Sequence, residues 1–534
     1  MADLTGMMQA VAGATPAGNP NAWDISKAYY DVGADAWDIS KAVYASRSFS
    51  VASQDTTPLG IFFKPDGTKM YMSGSLNDSV YEYTLSIPWL VSSASYVQSF
   101  SVSAQVSSPA GLFFKSDGTK MYVLDFGGDD VNEYDLSSAW DISTASYSQN
   151  FSVATEDTSP YGIFFKPDGT KMYVVGDNGN DINEYSLSSA WDVSSASYVQ
   201  NFSVASQDTN PQGIFFKSDG TKMYVNGSGE DYIYEYSLSS AWDISTASYV
   251  QNFSLGTQDT NPNSVFFRPD GSGFYFVGGA NDTIYQYVIG GFDVSTEETA
   301  PQGLFFKPDG TKMYVIGSDG DDVNEYSLSS AWDILSASYS QNFSVATEDT
   351  TPLGVFFKPD GTKMYVAGNT GDDVNEYDLS SAWDISTASY VQNKSVSAQD
   401  TAPSGIFFKP DGTKMYIVGG TNDSVYEYNL SSAWNISTAS YLQTFSISAQ
   451  EATPQDVFFK PDGTKMYITG TTGDDINEYS LSSAWDISSA SYVQNFSVGP
   501  QDNAPRGLFW KDDGTQFWIV GDKYRVFPYL ISPT

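Results

Sequence analysis

Neither cysteine nor histidine occurs anywhere in these 534 residues. Their absence excludes disulfides, thiol chemistry, His-based zinc sites and the Ser-His-Asp or Cys-His relays of nucleophilic catalysis. Cationic residues are scarce as well, with 25 Lys and Arg against 64 Asp and Glu and a net charge of −39. Such an excess favours solubility and opposes binding to phosphates, so no nucleic-acid partner is expected. No apolar run reaches the ~18 residues a membrane span needs, so no membrane insertion is expected. The stretch from Met1 to Gly18 has no basic residue and no apolar run long enough for a secretory leader. Helical periodicity is missing outside the N-terminal tail.

What is present is repetition. The phrase G-[ILV]-F-F-K-P-D-G-T-K-M-Y begins at Gly60, Gly111, Gly162 and Gly213, and returns altered at Ser264. It follows again at Gly303, Gly354, Gly405, Asp456 and Gly507. The step is 51 residues, except for one of 39 between the fifth and sixth copies. A fixed period near 50 marks a solenoid or a propeller.

The third copy shows how one period folds. Tyr161–Lys166 is a dense apolar run that ends in the turn Pro167-Asp168-Gly169. Lys171–Val175, Asp181–Leu187 and Tyr198–Val204 follow as alternating segments separated by polar turns. Four short antiparallel strands per period make one propeller blade, with the apolar first strand innermost.

The motif F-x-P-D-G-T-K-M-Y-V-x-G resembles TolB-like and YVTN-type propeller repeats over roughly residues 42–533. The A-W-D-I-S-T-A-S-Y link resembles repeat proteins of marine phages and their hosts. The first likeness implies an all-β propeller and leaves function open. The second implies a non-enzymatic structural protein of a virion, an extracellular particle: a phage tail, fibre or surface-decorating component.

Two ring arrangements fit ten copies. The last copy stops after its third strand, Arg525–Leu530, and Val43–Val51 upstream of the first is a spare fourth strand that could close a ring. The short step drops the S-S-A-W-D-I-S-T-A-S-Y link and leaves Gly290-Gly291. Two glycines cannot cross a blade about 20 Å high. The favoured reading is therefore two tandem five-bladed propellers, residues 42–290 and 291–534, each clasped by its own leading strand. One ten-bladed ring is the alternative. Residues 1–41 read as an N-terminal anchoring arm that docks on other virion proteins in a larger assembly. Two echoes of the link, Trp23–Tyr30 and Trp37–Tyr44, fall around it.

Charge should divide between two loop faces. One collects the Asp-Thr turns (Asp157, Asp208, Asp259, Asp349, Asp400) and the Gly-Asp-Asp hairpins. The other carries K-P-D-G-T-K, which holds 18 of the 25 cations, so the first face should be anionic and the second mixed. The hairpin pairs Asp129 and Asp130, Asp321 and Asp322, Asp372 and Asp373, and Asp474 and Asp475 are candidate ligands for a divalent cation such as Ca²⁺. The plainer reading is that Asp, Asn and Gly are what hairpin turns prefer. No cofactor is required by either.

Trp140, Trp191, Trp242, Trp332, Trp383, Trp434 and Trp485 open the links, with Trp89 in a variant copy. Exposed, they would stack on cell-surface glycans and make a multivalent lectin-like propeller for host attachment. Buried, they would pack under their own loops. An enzyme would need one blade with its own polar constellation, and blades five and ten differ only by apolar and glycine changes. No enzymatic activity is expected on that ground.

Overall fold

The structure, a computed structural model, describes Asn19 and residues 21–533. Among these the chain is all-β, in ten sheets joined by turns and short 3₁₀ segments. In the third blade the strands are Pro160–Phe165, Lys171–Gly176, Asp181–Leu187 and Ala196–Ser203, antiparallel in sequence order. Gly169 closes the first turn at φ +74°, where a side chain would be strained. Asp168 Oδ1 accepts the Thr170 N–H at 3.0 Å, which holds the turn locally.

The chain divides into two compact units at Asp31/Val32 and Gly290/Gly291. In the unit of residues 32–290, the innermost strands neighbour one another in sequence order. The cycle closes where Pro262–Phe267 meets Pro58–Phe63. Five phenylalanines seal the axis edge to face. Phe62, Phe113, Phe164, Phe215 and Phe266 each touch the next at centroid distances of 5.2–5.3 Å, the last touching the first. The other unit repeats this with Phe305, Phe356, Phe407, Phe458 and Phe509 at 5.1–5.5 Å.

The closing segments differ from expectation. In the unit of residues 32–290, the spare strand Ala42–Ser50 pairs with Thr283–Ile289 and completes the fifth sheet. In the other unit the leading strand supplies only Phe292–Asp293, against Val526 and Arg525. Ala28–Tyr30 covers the rest of that third strand, opposite Tyr529–Ile531. The outer position of the tenth sheet is thus shared by two distant segments.

The anchoring arm over residues 1–41 is therefore corrected from residue 21 onward. The two link echoes are the links that the fifth and tenth copies lack. Trp23 and Ile25 are buried in one unit, Trp37 and Ile39 in the other. Burial of these apolar side chains holds both echoes in the blades. Residues 1–18 and Pro20 lie outside the described residues.

Candidate functional site

A link tryptophan recurs in every blade. All ten link tryptophans, from Trp23 to Trp485, have φ between 64° and 69°. That region is costly for a bulky residue, so the surroundings must hold it. Trp242 N–H donates to Gly220 O at 3.1 Å, and its carbonyl accepts from Tyr173 Oη and Lys171 Nζ, both at 2.8 Å. The indole lies over Gly220, where a Cβ would fall 2.4 Å from Trp242 Nε1. It also stacks on Phe164 and Phe216.

Trp140, Trp242, Trp383 and Trp485 are each only 9% exposed. Trp191, Trp332 and Trp434 are half-buried in the same setting. Exposed sugar platforms at these seven positions are a corrected expectation. Each ring fills the space left by a glycine that has no side chain.

The hairpin aspartates also turn inward. Asp129, Asp321, Asp372 and Asp474 are the left-handed corner residues, at φ 49–56°. Asp130, Asp322, Asp373 and Asp475 begin the third strands, with their carboxylates held by amides. Asn324 and Asn342 donate to the two oxygens of Asp322 at 2.7 and 2.5 Å, and Asn477 donates to Asp475 at 2.7 Å. Among the described residues no three acidic side chains converge to hold a metal. In this structure these carboxylates anchor turns and strand ends.

The Asp-Thr carboxylates are buried at the ends of the second strands. Asp157 accepts the Ser159 N–H at 2.7 Å, and a Cβ on Gly176 would sit 2.3 Å from its Oδ2. Burial, helped by nearby Asp181 and Asp177, pushes its carboxyl up to about 6. Lysines of the repeat are structural too. Lys171 Nζ meets the buried Glu184 Oε1 at 2.6 Å, and Glu184 Oε2 accepts from Gln200 Nε2 at 2.9 Å.

The axis breaks the symmetry. On each innermost strand the third residue lines the axial mouth. In the unit of residues 291–533 these are Gly303, Gly354, Gly405, Asp456 and Gly507. Glycine suits the position because a Cβ crowds the next strand, as at Gly507, where it would lie 2.8 Å from Leu304 N. Asp456 alone puts a carboxylate there. Its Oδ2 accepts the Leu508 N–H at 2.9 Å and its Oδ1 accepts the Val457 N–H at 2.8 Å. On the other side a Cβ on Gly405 would lie 2.6 Å from Asp456 Oδ1. Enclosure among three strands pushes the carboxyl up to about 7, against the lowering effect of those two N–H groups.

Arg506 stands two residues before Leu508 on the neighbouring strand. It donates from Nη1 to Gln302 Oε1 at 3.2 Å and from Nε to Asp522 Oδ1 at 3.0 Å. In the unit of residues 32–290 the same axial place is taken by Ser264. The well there is small, about 20 Å³, and is lined by apolar side chains and the five phenylalanines. Blades five and ten depart from the other copies by apolar and glycine changes. At the axis of the unit of residues 291–533 the one departure is the Gly-to-Asp exchange in the ninth copy.

Nine four-stranded sheets and a tenth whose outer position is shared by two segments, with innermost strands around an axis, define a β-propeller repeat protein. The family described as "Lactonase, 7-bladed beta-propeller" matches residues 103–290 and 295–484, and the chain belongs to it. Here the blades number five in each compact unit. No curated protein matches the chain. Among solved structures, a candidate 6-phosphogluconolactonase of Bacteroides uniformis is 13% identical, covering 72% of this chain and 97% of that one at a TM-score of 0.25. A protein of Lactobacillus plantarum is also 13% identical, covering 69% and 92% at 0.24. Likenesses that low say nothing of function. Membership of a lactonase family, however, overturns the expectation that the chain has no enzymatic activity.

Proposed function

We propose that the chain hydrolyses lactones at the axial mouth of the unit that contains Asp456. The observation that carries this reading is Asp456 itself, a lone carboxylate among axial glycines with its pKa pushed up to about 7. A general base works best when its pKa lies near the operating pH. Family membership supplies the substrate class.

In this reading the Asp456 carboxylate takes a proton from water as the water oxygen attacks the lactone carbonyl carbon. The ring C–O bond then breaks, and the leaving alkoxide receives that proton, so lactone and water become one hydroxy acid. Arg506 supplies positive charge for the oxygen that becomes anionic. Ser264 at the equivalent place cannot serve as this base, so the other unit has no matching site.

The test is proton release in a pH-stat from a panel of γ- and δ-lactones. Turnover is expected from the native chain, with a loss of 100-fold or more in Asp456→Asn and retention in Asp157→Asn. Absence of turnover across the panel, or equal turnover in Asp456→Asn, overturns the proposal.

A further inference from the structure

The outer strands form a wall unlike the rest of the molecule. Nine complete fourth strands form it: eight, from Ala94–Ser101 to Ala490–Ser497, share one pattern, and the ninth, Ala42–Ser50, carries Arg47. In a chain that is 17% charged, those eight strands hold a single charged side chain, Lys394. Exposed outer strands usually carry charge to discourage pairing with other chains. These instead present Ser, Tyr, Asn and an exposed aliphatic residue.

Tyr96, Tyr147, Tyr198 and Tyr249 in one unit, and Tyr339, Tyr390, Tyr441 and Tyr492 in the other, are each 42–46% exposed. The residue after the tyrosine sits at a break in strand register, as between Tyr198 and Gln200 opposite Tyr185 and Glu184. At six of the eight positions that residue is an exposed Val or Leu, such as Val199 and Leu442. The bulge guards the edge and puts an aliphatic group beside the ring. Each tyrosine is also held from beneath. Tyr198 meets buried Tyr185 edge to face at 5.9 Å, and Tyr441 meets Tyr428 in the same way. The rings are therefore fixed in place before any partner arrives.

We infer that this wall binds neutral polysaccharide. Charge guides the partner: strands so poor in charge of their own offer an ionic ligand few ion pairs, whereas a neutral ligand needs none. Sugar rings present C–H faces that suit exposed aromatic surface, and hydroxyls that suit Ser, Asn and Tyr. Rigid tyrosine with adaptable Ser and Asn is also the side-chain set that antibody paratopes favour. Four such strands in each unit make weak single contacts add to useful avidity on a repeating polymer. This assigns sugar contact to tyrosines of the outer strands and not to the buried link tryptophans.

Native gel electrophoresis of the full chain, in gels containing soluble dextran, a β-1,3-glucan or a mannan, tests the inference. Retardation by at least one is expected, unchanged between 50 and 500 mM NaCl. Changing Tyr96, Tyr147, Tyr198 and Tyr249 together to Ser should weaken it 10-fold or more, with thermal unfolding checked in parallel. Should that variant unfold, Val199→Ser with Val250→Ser reads the same surface and should weaken retardation about 3-fold. Asp456→Asn should bind as the native chain does, which separates this surface from the hydrolytic mouth. No retardation in any of the three gels overturns the inference, as does retardation that salt abolishes. Sedimentation showing self-association that the same tyrosine changes abolish would assign the wall to a second copy of the chain, and would also overturn it.

Discussion

Tyr224 donates its hydroxyl to the carbonyl oxygen of Trp37, 2.5 Å away across 187 residues of sequence. The bond matches that from Tyr173 to Trp242 in the preceding blade, with an N-terminal tryptophan standing in for a missing link. Tyr467 and Trp23 make the same bond in the other unit at 2.7 Å. Closure thus relies on short segments that are remote in sequence from the blades they complete.

Trp37→Ala should therefore cost about 3–5 kcal/mol in urea unfolding, the range for removing a buried aromatic. Tyr224→Phe should cost only about 1 kcal/mol, since Lys222 still donates to the same carbonyl at 3.0 Å. A chain lacking residues 1–50 should lose both closures and unfold well below the native chain.

Gly220→Ala combines a strained φ of +74° with a contact 2.4 Å from an indole. Strain and overpacking together should cost roughly 3 kcal/mol. Gly420 meets nothing within 4 Å of a built Cβ, so Gly420→Ala should stay within about 0.5 kcal/mol of the native chain. Thermal melts of the two variants give the comparison.

Lys171→Met would leave the Glu184 carboxylate buried with only Gln200 as side-chain donor. Lys171 is partly exposed, at 29%, so the expected cost is about 2–3 kcal/mol, less than for a fully enclosed pair. Adding Glu184→Gln should recover part of that loss. A double-mutant cycle in urea measures the coupling.

Asp456 makes stability depend on pH with a definite sign. Its carboxyl titrates at about 7 in the folded chain and at ~3.9 unfolded, so the folded state holds the extra proton between those values. Its contribution is full below about pH 4 and is lost as pH rises through 7. Asp456→Asn keeps an acceptor for the Leu508 N–H without a charge. It should stabilise by about 2–4 kcal/mol at pH 8 and change little at pH 4, read from denaturant midpoints at both values.

Much of the fold was legible because turn chemistry and period two agree in every copy. Strands expected over Tyr161–Lys166, Lys171–Val175, Asp181–Leu187 and Tyr198–Val204 occur within two residues of those bounds. The links were not legible. Tryptophan is among the last residues to suggest a left-handed backbone, and only the Gly220-type contact explains it. Trp23 and Trp37 looked like an arm because the blades they complete lie far along the chain. Asp456 was visible as a changed letter in the repeat, but its raised pKa depends on three strands meeting at an axis. The outer wall needed exposure to be known, because the order of strands makes Tyr198–Val204 outermost without telling which of its side chains stay uncovered.

The most direct measurement of the hydrolytic account is kcat/KM for the best lactone substrate as a function of pH. The account predicts a rise governed by one group with an apparent pKa near 7, absent in Asp456→Asn. A profile that stays flat between pH 5 and 8, or one that Asp456→Asn leaves unchanged, would contradict it.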